Sequence, residues 1–491
     1  MKTPVFLGLI SCLSLAFFAP PSALQAREES ERPNVLFIAI DDLNDWVGCL
    51  DGHPQAKTPN IDALAGRGVN FTNAHCQAPI CNPSRVSVAL GLLPSTTGMY
   101  FLAPNFRSAE KTKDAETLFQ YFRRHDYYLT TCGKIFHGKV DSASFDHVEK
   151  SSGFRRGKKK LRYTVPGSNP LWDWGQVDVP DEEQRDHHAA AWAAEQLETL
   201  PDRDQPFFLA VGFHLPHVPL YASKKWFDLY PLEDVELPAT LDTDHNDIPE
   251  IARQLTVNPT APRHEWMIEH DEWRHAVRAY LAANSFVDHL VGMVLDALDD
   301  SAAADNTVIV LWSDHGFHLG EKQKWAKRSN WEESARVPFL MAGPGISVGT
   351  PCPKPVGLID IYPTLADLCG LPEKPGLEGV SLRPLLENPE AAWDRPALTT
   401  FGPGNHSIRS EHYRYSVYTD GSEELYDHRE DPHEWKNLAT DPALAEVIAE
   451  HRNWLPKTHA DPLPGSAGSD SPLYGEGGGK KLRDAMKRAP K

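Results

Sequence analysis

Groups able to bind ions or move protons stand at the ends of four apolar runs in this sequence. NVLFIAI (34–40) stops at Asp41-Asp42, and YYLTTCG (127–133) leads into Lys134 and His137. PFFLAVGF (206–213) ends at His214, and NTVIVLW (306–312) ends in Ser313-Asp314-His315-Gly316. Continuous apolar runs of this length are buried-strand material, and carboxylates, amines and imidazoles are costly to bury unpaired. In open α/β sheets ligands bind beyond the carboxyl ends of the strands. One such ending reads as a solvated loop; four read as a site gathered on one rim.

The elements that must position these groups follow from periodicity. Residues 187–200 are Ala-rich and amphipathic. Residues 271–300 keep Tyr280, Leu281, Phe286, Val287, Leu290, Val294 and Leu295 at helical spacing, which makes them core. Strand-like runs alternating with helices predict an α/β protein with a large, mostly parallel sheet sandwiched by helices. From about 376 to 463 a smaller α+β unit is expected, with short strands near 413–418 and a turn-rich stretch at 426–433. Residues 27–375 would then form the main domain, and the Gly/Ser-rich, later basic stretch 464–491 a flexible tail. The polar stretch 141–180 carries the run Arg155-Arg-Gly-Lys-Lys-Lys160, which reads either as a solvated loop or as a clamp for an anionic substrate.

Lys2, an apolar stretch and the small-residue segment ending at Ala26 read as an export signal over residues 1–26. Leu9-Ile-Ser-Cys12 also has the residue types of a lipoprotein signal. The chain is therefore expected to be exported, periplasmic or secreted, with no stable membrane insertion once the signal is removed. A length of 491 residues and 13 Trp suit a packed protein of one large and one small unit. The net charge of −19 repels polyanions, so nucleic acid is not an expected partner and any anionic substrate needs a locally basic site. Cys49, Cys76, Cys81, Cys132, Cys352 and Cys369 follow the signal without a CxxC pair, so neither a disulfide scaffold nor a zinc ribbon is indicated.

The segment Cys81-Asn82-Pro83-Ser84-Arg85, within QAPICNPSRVSVALG, resembles the Cys-x-Pro-Ser-Arg signature of the type I sulfatases. PNVLFIAIDDLNDWVGCLDG, KTPNIDALAGRGVNFTNAHCQAPICNPSR, CGKIFH, FFLAVGFHLPHVP and SDHGFHLGEKQKWAKRSN carry the likeness further, toward the iduronate-2-sulfatase branch. It spans most of residues 33–440. The resemblance implies an alkaline-phosphatase-like sulfatase fold and a maturation enzyme that converts Cys81 to formylglycine. The aldehyde hydrates to a geminal diol, one oxygen attacks sulfur, and the sulfated hemiacetal expels sulfate through the second oxygen. A plain Ser could form the ester but not release it in that way.

The same resemblance implies roles for the other groups. Asp41, Asp42 and Asp314 supply hard oxygen ligands for one Ca²⁺, with residue 81 and His315 beside them. Arg85 holds formylglycine, and Lys134 and Lys327 bind sulfate oxygens. His137 takes a proton from the diol, and His214 protonates the departing alcohol. Two departures stand out. His315 replaces the more usual Asn, and imidazole is a poor Ca²⁺ ligand. Val88-Ala89-Leu90-Gly91 replaces Leu-x-Thr-Gly. In His214-Leu215-Pro216-His217 a Leu stands where the iduronate branch implies Lys. The expected substrate is a sulfated saccharide, a sulfated uronic acid among the candidates. The alternatives are a phosphate-diester or phosphonate hydrolase of the same superfamily, and a non-catalytic binder of sulfated glycans.

Overall fold

The computed structural model describes Met1 and residues 32–255 and 260–465. The export signal, Cys12 and the tail from 466 onward lie outside the described residues. The centre is an eight-stranded mixed sheet. Its strands are β1 (Asn34–Asp41), β2 (Gly68–Phe71), β3 (Tyr128–Gly133), β4 (His147–Glu149), β5 (Phe207–Pro216), β6 (Thr307–Ser313), β7 (Phe339–Ala342) and β8 (Thr350–Cys352). In spatial order they run β8-β2-β7-β6-β1-β5-β3-β4. The four apolar runs of the sequence are thus four consecutive strands, β6-β1-β5-β3, and every pair among them is parallel. Their carboxyl ends share one edge, as the sequence predicts. β7 runs antiparallel to both β2 and β6, which makes the sheet mixed.

Period-two alternation splits each strand between two cores. Val35, Phe37 and Ala39 of β1 face one side, with helices α2 (Cys81–Leu90), α3 (Leu118–Arg124) and α6 (Ile361–Leu368). Leu36, Ile38 and Ile40 face the other, with α1 (Pro59–Arg67), α4 (Arg185–Thr199) and α5 (Trp273–Asp299). Side chains buried this fully, such as Phe37 and Phe286, each stabilise the fold by about 1.5–3 kcal/mol. α5 is the buried helix that the spacing over 271–300 predicts. Its 27 residues are long and apolar enough to cross a membrane, but 78% of its most apolar window is buried inside the protein. It is the core helix against which α4 and β5 pack.

A second, antiparallel sheet follows: β9 (Ala397–Thr400), β10 (His406–Arg409), β11 (Tyr413–Val417) and β12 (Glu423–Asp427). It is tied to the main body through Arg414, fully buried on β11. Its guanidinium pairs with Glu332 and lies 2.6 Å from Glu434, and Arg409 reaches Glu332 at 3.3 Å. Burial pushes the Glu332 and Glu434 carboxyls up, but Arg409, His428 and Arg414 outweigh it at Glu332, and Arg414 with His428 outweighs it at Glu434, so both are held low. Glu332, His428 and Glu434 have the spacing of a metal site, yet these guanidinium groups already occupy it.

Candidate active site

The signature segment forms the start of α2, whose ten residues are all buried. Pro83 sits in the first turn, where its missing N–H costs nothing, and Gly91 ends the helix at φ 66°. Positions i, i+3 and i+4 share one helix face. That is why Cys81, Ser84 and Arg85 meet the end of β6 together. Ser84 Oγ donates to the Asp314 carbonyl at 2.5 Å, and Arg85 Nε donates to Asp314 Oδ2 at 2.7 Å. Cys81 Sγ lies 3.2 Å from His315 Nε2. The helix start also brings a positive dipole end to residue 81, favourable for an anion.

Lys327 Nζ is 3.3 Å from the same sulfur and 2.5 Å from Asp42 Oδ1. Lys134 pairs with Asp41 and approaches Cys81 at 3.9 Å. β3 and β5 make the Lys134 approach possible at Gly212. A Cβ there would stand 2.3 Å from the Lys134 carbonyl carbon, so only glycine admits that backbone. The Lys134 carbonyl in turn accepts from Arg85 Nη1. β1 slips in register against β5 between Ile40 and Asp41, and Asp42 turns to φ 64°, so the paired carboxylates leave the sheet together.

Charge sets the protonation of the cluster. Burial pushes the Asp41 carboxyl up, but Lys134, His217 and Arg85 hold it well below the ordinary value. Burial dominates for Asp42 and raises it, against the pull of Lys327. Burial lowers Lys327, but Asp42 and Cys81 outweigh that and raise it. His315 is pulled down by burial despite Asp314.

His214 stands at the end of β5. Asp186, in the first turn of α4, accepts its backbone N–H at 2.8 Å and that of Leu215 at 2.8 Å, and faces His214 Nδ1 at 3.2 Å. Asp186 is a partner the sequence reading missed, because an acidic residue opening a helix looks ordinary. His217 is also drawn in: it is half-buried, and Lys327, Asp41 and Lys134 are its charged neighbours. His137 lies on the loop beyond Lys134 with Nδ1 buried and unpaired, whereas the hydrogen bonds of Cys81 run to His315, Lys327 and Lys134.

Ligand atoms of Asp41, Asp42, Cys81 and His315 lie within 4.8 Å of one another. Asp314 adjoins the group, its Oδ1 3.5 Å from His315 Nε2 and its other oxygen on Arg85. Asp42 Oδ2 is buried with no hydrogen-bond partner. An anionic oxygen left this way is unfavourable, and a cation supplies what it lacks. The neighbouring carboxylates suit a hard divalent ion; the thiol and the imidazole are softer donors.

A mixed sheet between helices, with Cys81 at a helix start facing carboxylates at the sheet's carboxyl edge, is the arrangement of the alkaline-phosphatase-like fold. Comparison with known proteins gives the family. The Sulfatase family matches residues 33–371, and the C-terminal region of N-sulphoglucosamine sulphohydrolase matches 320–461. The chain belongs to the sulfatase family and is a sulfuric ester hydrolase. It is 41% identical to a sulfatase of Formosa agariphila, covering 94% of this chain and 93% of that one. It is 31% identical to iduronate 2-sulfatase of Mus musculus, covering 84% and 90%. A 2-O GAG sulfatase structure superposes with a TM-score of 0.69 at 26% identity, covering 86% and 91%. A phosphonate monoester hydrolase of Agrobacterium radiobacter reaches 0.70 at 22% identity, covering 86% and 94%, a likeness of fold alone.

Proposed function

We propose that this chain removes O-sulfate from a sulfated carbohydrate, with sulfated uronic acids the favoured class, through formylglycine made from Cys81 and one bound Ca²⁺. The observation that carries the reading is the position of Cys81, with an imidazole at 3.2 Å and an ammonium at 3.3 Å beside two buried carboxylates. The relatives named for iduronate and for 2-O sulfated glycosaminoglycan support the substrate class.

Formylglycine would supply a hydrated aldehyde able both to take sulfate and to release it. Asp41, Asp42 and Asp314 would hold Ca²⁺, which polarises the sulfate when bound, with the oxygen that replaces the Cys81 sulfur completing the set. Lys134 and Lys327 bind the non-bridging sulfate oxygens and balance their charge. Arg85 keeps the carboxylates and residue 81 in register. His214 gives its proton to the leaving alcohol oxygen, and Asp186 behind it keeps that proton available. His315 is better situated than His137 to exchange a proton at residue 81. The leader at 1–26 supports export, with a formylglycine-generating enzyme acting on the chain on its way out.

The phosphonate or phosphate-diester alternative draws on a shared fold only, and a non-catalytic role does not account for a fully assembled cation and imidazole set. The deciding experiment uses protein co-expressed with a maturation enzyme and offered defined sulfated saccharides beside a phosphate diester. Sulfate release from a saccharide, lost in Cys81→Ala, is the expected result. Full activity in Cys81→Ala, or preference for the diester, overturns the reading.

A further inference from the structure

A narrow cleft beside His214 is lined on one side by His214, Leu215 and His217 and on another by Arg155 and Arg185. Arg155 comes from the polar stretch whose basic run the sequence leaves open between solvated loop and anion clamp. At this residue the backbone is anchored. Phe154 N–H donates to the Glu183 carbonyl at 2.7 Å, and Arg185 N–H donates to the Phe154 carbonyl at 3.0 Å. The Phe154 ring stacks on Tyr221. Arg155 is thereby held beside the start of α4, which carries the carboxylate behind His214.

Among the described residues the Arg155 guanidinium has no hydrogen bond or ion pair. Its charged neighbours are Arg185 and Arg156 on one hand and Asp41 and Asp186 on the other. The catalytic cations, by contrast, already face carboxylates: Lys134 faces Asp41, Lys327 faces Asp42, and Arg85 faces Asp314. A substrate with an anion beyond the reacting sulfate needs a further cation, and a chain of net charge −19 does not supply it by long-range attraction. Leu215, on the strand side of the cleft, offers none.

We propose that Arg155, backed by Arg185, forms a subsite for a second anionic group of the substrate, a carboxylate or a second sulfate, next to the oxygen that His214 serves. This rests on the sulfatase reading above and sharpens its substrate class. A guanidinium presents a planar fork that matches either oxyanion. Arg185 spends Nε on Ser151 Oγ at 3.0 Å and adds charge behind the fork.

The test is steady-state kinetics of the matured enzyme, Arg155→Ala and Arg155→Lys on three substrates: a 2-O-sulfated uronic acid, its carboxyl-reduced counterpart, and a hexosamine bearing two sulfates. Arg155→Ala should raise KM on the doubly anionic substrates by roughly tenfold or more, the size of a charge-assisted contact, with a much smaller change in kcat. Arg155→Lys should recover part of that loss, and an unchanged thermal midpoint shows the fold intact. The penalty on the carboxyl-reduced monosulfate should be much smaller. A penalty confined to the uronic acid assigns the subsite to a carboxylate; one confined to the disulfated sugar assigns it to sulfate. Equal penalties on all three, or none, overturn the subsite alone. Wild-type enzyme that releases sulfate from none of them overturns the substrate class proposed above.

Discussion

Asp186 accepts the backbone N–H of His214 at 2.8 Å and stands 3.2 Å from the Nδ1 of the same residue. The pair orients the imidazole and opposes its loss of a proton. Burial nevertheless lowers His214 from the ordinary 6.5, with Lys134 and Arg185 adding to the fall and Asp186 working against it. A general acid acts in its protonated form, so kcat/KM should decline as pH rises through a value below that ordinary one. Asp186→Asn removes the opposing charge. The decline should move to still lower pH, and kcat should drop by roughly tenfold or more. Superimposable pH–rate profiles for the two enzymes would remove Asp186 from this role.

Cys81→Ser separates sulfate capture from sulfate release. A serine can take the sulfuryl group but has no second oxygen through which to expel it. The variant should stall after a single turnover, with the sulfated serine visible by mass spectrometry of the Cys81 peptide. The same peptide from active wild-type enzyme should carry an aldehyde in place of the thiol. Full-rate hydrolysis by enzyme that retains the ordinary thiol would contradict the account.

Removal of divalent ions should abolish turnover and lower thermal stability, and Ca²⁺ should restore both. At about one hundred times its dissociation constant a bound ion adds roughly 2.7 kcal/mol to the folded state. Asp42→Asn, which neutralises the carboxylate bearing the unpaired Oδ2, should erase most of the Ca²⁺-dependent shift. A thermal midpoint that ignores Ca²⁺ in wild-type enzyme would argue against these carboxylates as its ligands.

Arg414→Met tests the buried ion cluster. It leaves the fully buried Glu434 without its main counter-charge and takes one of its cations from Glu332. Breaking a buried pair in this way costs about 3–5 kcal/mol, readable in chemical denaturation. A loss under 1 kcal/mol, the scale of an exposed pair, would show the cluster to be hydrated.

Much of the rim is legible in sequence because a buried parallel strand is an unbroken apolar run, and its first polar residue marks where the sheet stops. Asp41, Lys134, His214 and Asp314 are found in that way. Cys81 is found through the spacing of its motif, whose meaning becomes clear on a helix where Ser84 and Arg85 share its face. Asp186 is invisible, since it acts across a separation of 28 residues and nothing local distinguishes it from a helix-opening acid. The pairing of Lys327 with Asp42 spans 285 residues and exists only once the sheet has closed. His217 falls within a matching segment, but its charge environment comes from three other elements. Arg155 sits in a run whose composition suits water as well as an anion, and only the backbone bonds at Phe154 separate the two.

The Glu332 gripped by Arg414 lies five residues past Lys327 along the same stretch of chain. The two matching family regions also overlap there, across 320–371. The last sheet is accordingly no detachable appendage. A chimera that exchanges it for a foreign one would have to carry its own partner for Glu332, or Lys327, proposed here to bind sulfate, would lose its moorings while every side chain of the candidate site remained intact.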